Sequence, residues 1–125
     1  MRCAQLESMT EQEVFNKTFE TLRARNWKIA YDKATGMCLY RSPVGPCAAG
    51  VHIPDEEYSD YLEQNSWKSL VYKQVVSEAH DDLINAMQMA HDSGDATNPN
   101  CDPMTMYFEF RFVANEFNLT IPGEF

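Results

Sequence analysis

Residues 42–54, reading SPVGPCAAGVHIP, restrict this chain most: three of its six prolines (Pro43, Pro46, Pro54) and two of its five glycines (Gly45, Gly50) fall there. Proline lacks an amide hydrogen and fixes φ, and glycine adopts backbone conformations that other residues avoid. Neither a long helix nor a central strand runs through such a stretch. Ser42-Pro43-Val44-Gly45-Pro46 reads as a turn. Residues 37–41 before it and 47–51 after it read as two short strands of a hairpin. The second is built of small side chains, which implies that something packs closely over it. Ile53-Pro54-Asp55-Glu56-Glu57-Tyr58 then reads as a helix start, with proline at a first helical position and acids in the first turn.

Helical signals flank this centre. Thr10-Glu11-Gln12-Glu13 is a capping box, and Phe15, Phe19 and Leu22 follow at helical spacing, predicting a helix over 11–25. In 26–36, Trp27, Ile29 and Tyr31 alternate as in a short strand or extended arm, with a turn at Thr35-Gly36. Residues 66–76 predict a short helix carrying Trp67, Leu70 and Val71. Ser77 is placed to cap a further helix with Leu83, Ile84, Met87 and Ala90 on it, ended by Gly94. A polar loop spans 93–102. In the last segment Met104, Met106, Phe108, Phe110 and Phe112 alternate like a strand, whereas Tyr107, Phe110, Ala114 and Phe117 suit a helix face. Asp102-Pro103, a cap followed by proline at the first helical position, decides for helix.

The fold class expected is therefore α+β: a small antiparallel hairpin or sheet packed against three to four helices. Residues 1–9 are expected as a flexible lead-in, with Met9 a candidate start, 10–121 as a single domain, and 122–125 as a flexible tail. Apolar residues at 44% and charged residues at 23% suit a globular chain with a core of its own.

The net charge of -9 disfavours nucleic-acid and anionic-membrane binding, because both need Lys and Arg against phosphates. It favours a basic protein partner. The opening residues MRCAQLESMTEQEVF resemble neither a signal nor a transit peptide. With no secretory signal, Cys3, Cys38, Cys47 and Cys101 are expected reduced.

The run Cys38-Leu39-Tyr40-Arg41, Pro43, Gly45, Cys47-Ala48, Gly50, Ile53-Pro54-Asp55-Glu56, Tyr58, followed by Ala90-His91-Asp92, resembles a small uncharacterised domain of tailed bacteriophages and prophages. Ser42 stands where that pattern has glycine. The resemblance implies a phage protein in the cytoplasm of a bacterial host. It also implies an accessory role, binding a host protein, including one of a defence system. It implies no cofactor.

Candidate sites follow from residue chemistry. Partner binding falls to Asp55, Glu56, Glu57 and Asp60, an acidic run for a basic or nucleic-acid-handling partner, together with Arg41, which salt-bridging to Asp55 or Glu56 would otherwise occupy. The enzymatic alternative is a thiol or His/Asp hydrolase with Cys47 as nucleophile, His91 as base and Asp92 as orienting acid. Its structural counterpart is a buried cysteine and a histidine at a helix end. Cys38, Cys47, His52, His80, His91 and Cys101 are soft metal ligands, but C-x8-C and C-x4-H match no zinc spacing, so no metal is expected. Met87, Met89, Met104 and Met106 read as core before they read as an adaptable surface. An oligomer-forming module, most simply a homodimer, is the third class.

Overall fold

The computed structural model describes residues 2–28, 31–32, 37–92 and 103–123, with 31–32 and 37–38 described as backbone only. Four helices dominate: α1, Glu11–Ala24; α2, Trp67–Tyr72; α3, Asp81–Asp92; and α4, Pro103–Glu116. Helix α1 forms where its capping box predicts. The Thr10 hydroxyl accepts the Glu13 amide, and the Glu13 carboxylate accepts the Thr10 amide. It buries Val14, Phe15, Thr18, Phe19 and Leu22 along one stripe. Phe15 and Phe19 meet Trp27 from the following turn and Tyr107 and Phe110 from α4 in one aromatic cluster. Helix α3 packs against α1, α2 and α4 and so lies at the centre of the bundle. The Ser66 hydroxyl caps α2, and the Ser77 hydroxyl accepts the Ala79 amide in the turn that leads into α3. The positions of Gly94, of Asp102 and of the 93–102 loop lie outside the described residues.

The expected α+β class is corrected: the described chain is helical, and its strands amount to Tyr31–Asp32 paired with Met37–Cys38. Within 26–36, expected as a short strand or extended arm, Tyr31–Asp32 is strand, but Trp27 sits in a left-handed turn behind α1 with φ 62°. Ser42 and Gly45 exchange two backbone hydrogen bonds and close a turn on themselves. The ladder does not continue from it, for two reasons. Pro46 has no amide to donate, and the amides of Tyr40 and Arg41 are bound by the Glu63 carboxylate, at 2.9 and 3.2 Å, instead of by a neighbouring strand. Residues 47–51, expected as the return strand, coil instead. The Val51 amide bonds the Cys47 carbonyl, and Gly50–His52 is a 3-10 turn. The close packing expected over its small residues is present, with Ala48 and Ala49 fully buried and the Ala49 amide donated to Gln88 of α3. The helix expected from Pro54 is a set of short 3-10 turns, Asp55–Glu57 and Asp60–Leu62.

Residues 2–8, expected as a flexible lead-in, join the core. Arg2 pairs with the backbone on either side of Val76, Ala4–Ser8 forms a 3-10 turn, and Cys3 and Leu6 are fully buried. At the other end, Asn118 takes a left-handed φ of 56°, the Leu119 amide returns to the Ala114 carbonyl, and the chain turns back along α1.

Candidate functional site

Residues 40–63 form a polar knot. The Glu63 carboxylate collects the Tyr40 and Arg41 amides and, at 2.6 Å, the Tyr58 hydroxyl. Burial first, and then the Glu63 carboxylate, pushes the Tyr58 phenol above its ordinary pKa, so it stays a donor. The Arg41 guanidinium lies 5.4 Å from the Tyr58 ring centre, donates to the Ile53 carbonyl and pairs with Asp55 at 2.9 Å. Of the residues expected to bind a partner, Arg41 and Asp55 thus engage each other. Glu57 faces inward, accepting the Cys3 amide on its carboxylate and the Arg2 side chain on its carbonyl. Glu56 and Asp60 are exposed. The Asp55 side chain is 95% exposed, so its ion pair is held in high dielectric and contributes little to stability.

Cys47 and His91 are both buried, at 2% and 0% exposure. The Cys47 sulfur accepts the Gly50 amide at 3.4 Å inside the coiled 47–53 segment. His91 lies in the last turn of α3, and Asp92 closes that helix with a side chain outside the description. Among the described residues, no three His, Cys, Asp or Glu side chains are disposed to hold a metal ion. Cys101 and the side chain of Cys38 lie outside that set. His80 donates to the Met9 carbonyl at 2.6 Å. His52, 1% exposed, shares a 2.7 Å hydrogen bond with Thr18. Burial, with Lys17 and His80 adding, pushes the His52 imidazole down to a pKa of about 3, so it is neutral.

The exposed apolar surface lies on α3 and α4, where sequence reasoning ranked an adaptable methionine surface behind core and did not single out Phe108 or Phe112 as exposed. Met87 and Met106 are core, as expected, but Met89 is 66% exposed, Phe112, which shares a groove with it, is 63% exposed, and Phe108 is 53% exposed. Two shallow grooves flank Phe112. The larger, about 530 Å³, runs from Phe108 and Arg111 to Leu119 and Ile121. The other, about 350 Å³, has Ala86, Met89, Phe112 and Val113 in it, with Glu109 and Glu116 along its length. A third depression, beside Arg2, Glu57, Tyr58 and Val75, is lined by the N-terminal segment and the polar knot. Neither Cys47 nor His91 lines any of the three.

An apolar residue is ordinary on a surface when single, but adjacent large apolar side chains in a groove mark contact surfaces. The sequence signal was present: α4 has more large apolar residues than one face holds, with Met106, Phe110, Val113 and Ala114 buried and Phe108 and Phe112 left over. No described helix is long and apolar enough to cross a membrane. Comparison with known proteins finds no matching family model, no matching curated protein and no matching solved structure.

Proposed function

We propose that the chain is a non-enzymatic binding module that engages a protein partner through its α3–α4 face. The observation that carries this reading is the joint exposure of Met89, Phe108 and Phe112 around two grooves. Among the described residues, the other exposed large apolar side chains, Val44, Tyr61 and Tyr72, fall on the 42–45 turn, the 60–62 turn and α2. The phage-domain resemblance of residues 38–58 supplies the setting: a host protein in a bacterial cytoplasm. The acids Asp55, Glu56 and Asp60 add a long-range attraction to a basic partner, which bears on association rate more than on the contact itself.

The hydrolase reading with Cys47 and His91 has less support. A nucleophile and its base must reach substrate, and both side chains are buried away from the grooves. The test is site-specific cross-linking from position 112 in an expressing bacterium, alongside Phe112→Ser, Met89→Ser, Cys47→Ser and Asp55→Lys/Glu56→Lys. Contact-face variants should lose the association, Cys47→Ser should retain it, and the charge reversal should slow it. A folded Cys47→Ser protein without effect, beside a fully active Phe112→Ser protein, would decide for the enzyme.

A further inference from the structure

The groove between α3 and α4 has a chemistry that selects its occupant. Its lining is largely apolar, from Ala86, Met89, Ala90, Phe112 and Val113, and Glu109 and Glu116 join it from α4. Both glutamates are exposed, and no salt bridge among the described residues engages them. They are seven residues apart on one helix, which sets them two turns apart, about 10.5 Å along the axis at 1.5 Å per residue. On the far side of Phe112, Arg111 lines the other groove and lies over the Tyr107 and Phe108 rings, 5.9 and 5.8 Å from their centres. The groove edge is therefore anionic, on a chain of net charge -9.

We propose that this groove takes a basic amphipathic helix of a partner protein, apolar on the face it inserts and carrying Lys or Arg seven positions apart on its flank. This deepens, and rests on, the reading of α3–α4 as a contact face. A helix laid along α4 places its i, i+3, i+4 and i+7 apolar side chains into the groove. Basic residues at i and i+7 then match the spacing of Glu109 and Glu116. Charge pairs at the edge of an interface set rate and orientation, while the buried apolar anchors hold the complex.

A second copy of the chain fits this edge poorly. An antiparallel α4 pair centred on Phe112 and its counterpart brings Glu109 of one chain to the turn carrying Glu116 of the other. Like charges then face each other, between two chains that each carry -9. The same edge that repels a copy attracts a basic helix.

The experiment selects a displayed library of helical peptides, randomised on all faces, against the full chain. Binding of the enriched peptides is then measured by fluorescence anisotropy. Enriched peptides should carry one apolar face with Lys or Arg seven apart. Their affinity should fall about tenfold or more on Phe112→Ser, on Met89→Ser and on Glu109→Lys/Glu116→Lys, a loss of at least about 1.4 kcal/mol. Asp55→Lys/Glu56→Lys, the same charge change elsewhere, should alter it no more than about threefold, since those groups lie outside the contact and are screened. Enriched peptides that are neutral or acidic, or that bind the Glu109→Lys/Glu116→Lys protein as well as the wild type, overturn the proposal. So does a concentration-dependent dimer in sedimentation that Phe112→Ser abolishes. If no peptide is enriched while cross-linking from position 112 persists in cells, the basic helix is overturned and the contact face stands. Loss of both overturns the two together.

Discussion

Gly50 lies directly on the backbone of Tyr40: a Cβ at Gly50 would sit 3.1 Å from the Tyr40 Cα and carbonyl carbon and closer still to its oxygen. The obstacle is main chain, held in turn by Glu63 through the Tyr40 amide, so it does not swing aside. Gly50→Ala should therefore destabilise by about 2 kcal/mol, and Gly50→Val by more, since the added atoms force backbone to shift. Urea melts of both variants check this. An unchanged midpoint for Gly50→Val would mean that residues 40 and 50 do not touch.

Glu63 joins the Tyr40 and Arg41 amides to the Tyr58 hydroxyl. Glu63→Ala leaves two amides and a phenol without their acceptor, and each unmade bond to a charged group costs about 1.5–3 kcal/mol before water repairs it. A net loss of about 3 kcal/mol is expected, with Glu63→Gln intermediate, because the amide still accepts on its oxygen. Hydrogen exchange at the Tyr40 and Arg41 amides should quicken in Glu63→Ala ahead of global unfolding, which separates a local role from a general one.

His52 makes stability fall with acid. Its imidazole is pushed down to a pKa of about 3 in the folded chain, against an ordinary value of 6.5. Below pH 6.5 the unfolded chain takes up a proton that the folded chain refuses. The contribution is full above pH 6.5 and is lost as pH falls towards 3, with a slope of up to about 1.4 kcal/mol per pH unit from this one group. Unfolding free energies of wild type and His52→Gln between pH 7 and 4 should diverge by that slope. Parallel curves would show that His52 carries no such burden.

The helices were legible because their signals are local and redundant. Thr10 and Glu13 cap α1 reciprocally, and its apolar residues share a stripe. The 38–54 segment was not, because its hydrogen bonds are settled from afar. The strand-like amides of Tyr40 and Arg41 go to a carboxylate more than twenty positions on, and Cys47-Ala48-Ala49-Gly50 coils once no neighbouring strand is available. The same distance effect hid the N-terminus, where Cys3 and Leu6 are buried and the segment is held by Arg2 beside Val76, by Glu57 on the Cys3 amide and by Gln5 on the His52 carbonyl. Which part of the proposed contact face stays exposed was set by phase. In α4, Phe110 and Phe112 are alike in sequence, and only the packing of α1 and α3 decides that one is covered and the other is not.

Cys3 and Cys47 should resist alkylation while the chain is folded. Cys3 is fully buried, and burial, with Glu57 adding to it, pushes its thiol up to about 12, so the reactive thiolate is scarce at neutral pH. Cys47 is buried at 2% exposure with its sulfur against the Gly50 amide. Iodoacetamide labelling mapped by mass spectrometry should find both unmodified in buffer and both modified in urea. Rapid native labelling of Cys47 would instead reveal access to it and revive the nucleophile.

The last expectation separates what the chain needs in order to fold from what it carries for another purpose. Phe110 is fully buried between Phe15 and Trp27, at ring distances of 6.3 and 5.6 Å, so Phe110→Ala should cost about 3–5 kcal/mol through lost transfer energy and a cavity. Phe112, two residues on, is 63% exposed, and Phe112→Ser should change stability by no more than about 0.5 kcal/mol. Phe112 shares one groove with Met89 and the other with Phe108, so its exposure belongs to an apolar patch rather than to a scattered single residue, and such patches mark contact sites. Denaturation of the two variants side by side measures the contrast. If Phe112→Ser proved as destabilising as Phe110→Ala, the ring would belong to the core of the free chain, and the α3–α4 face would lose its claim as the contact surface.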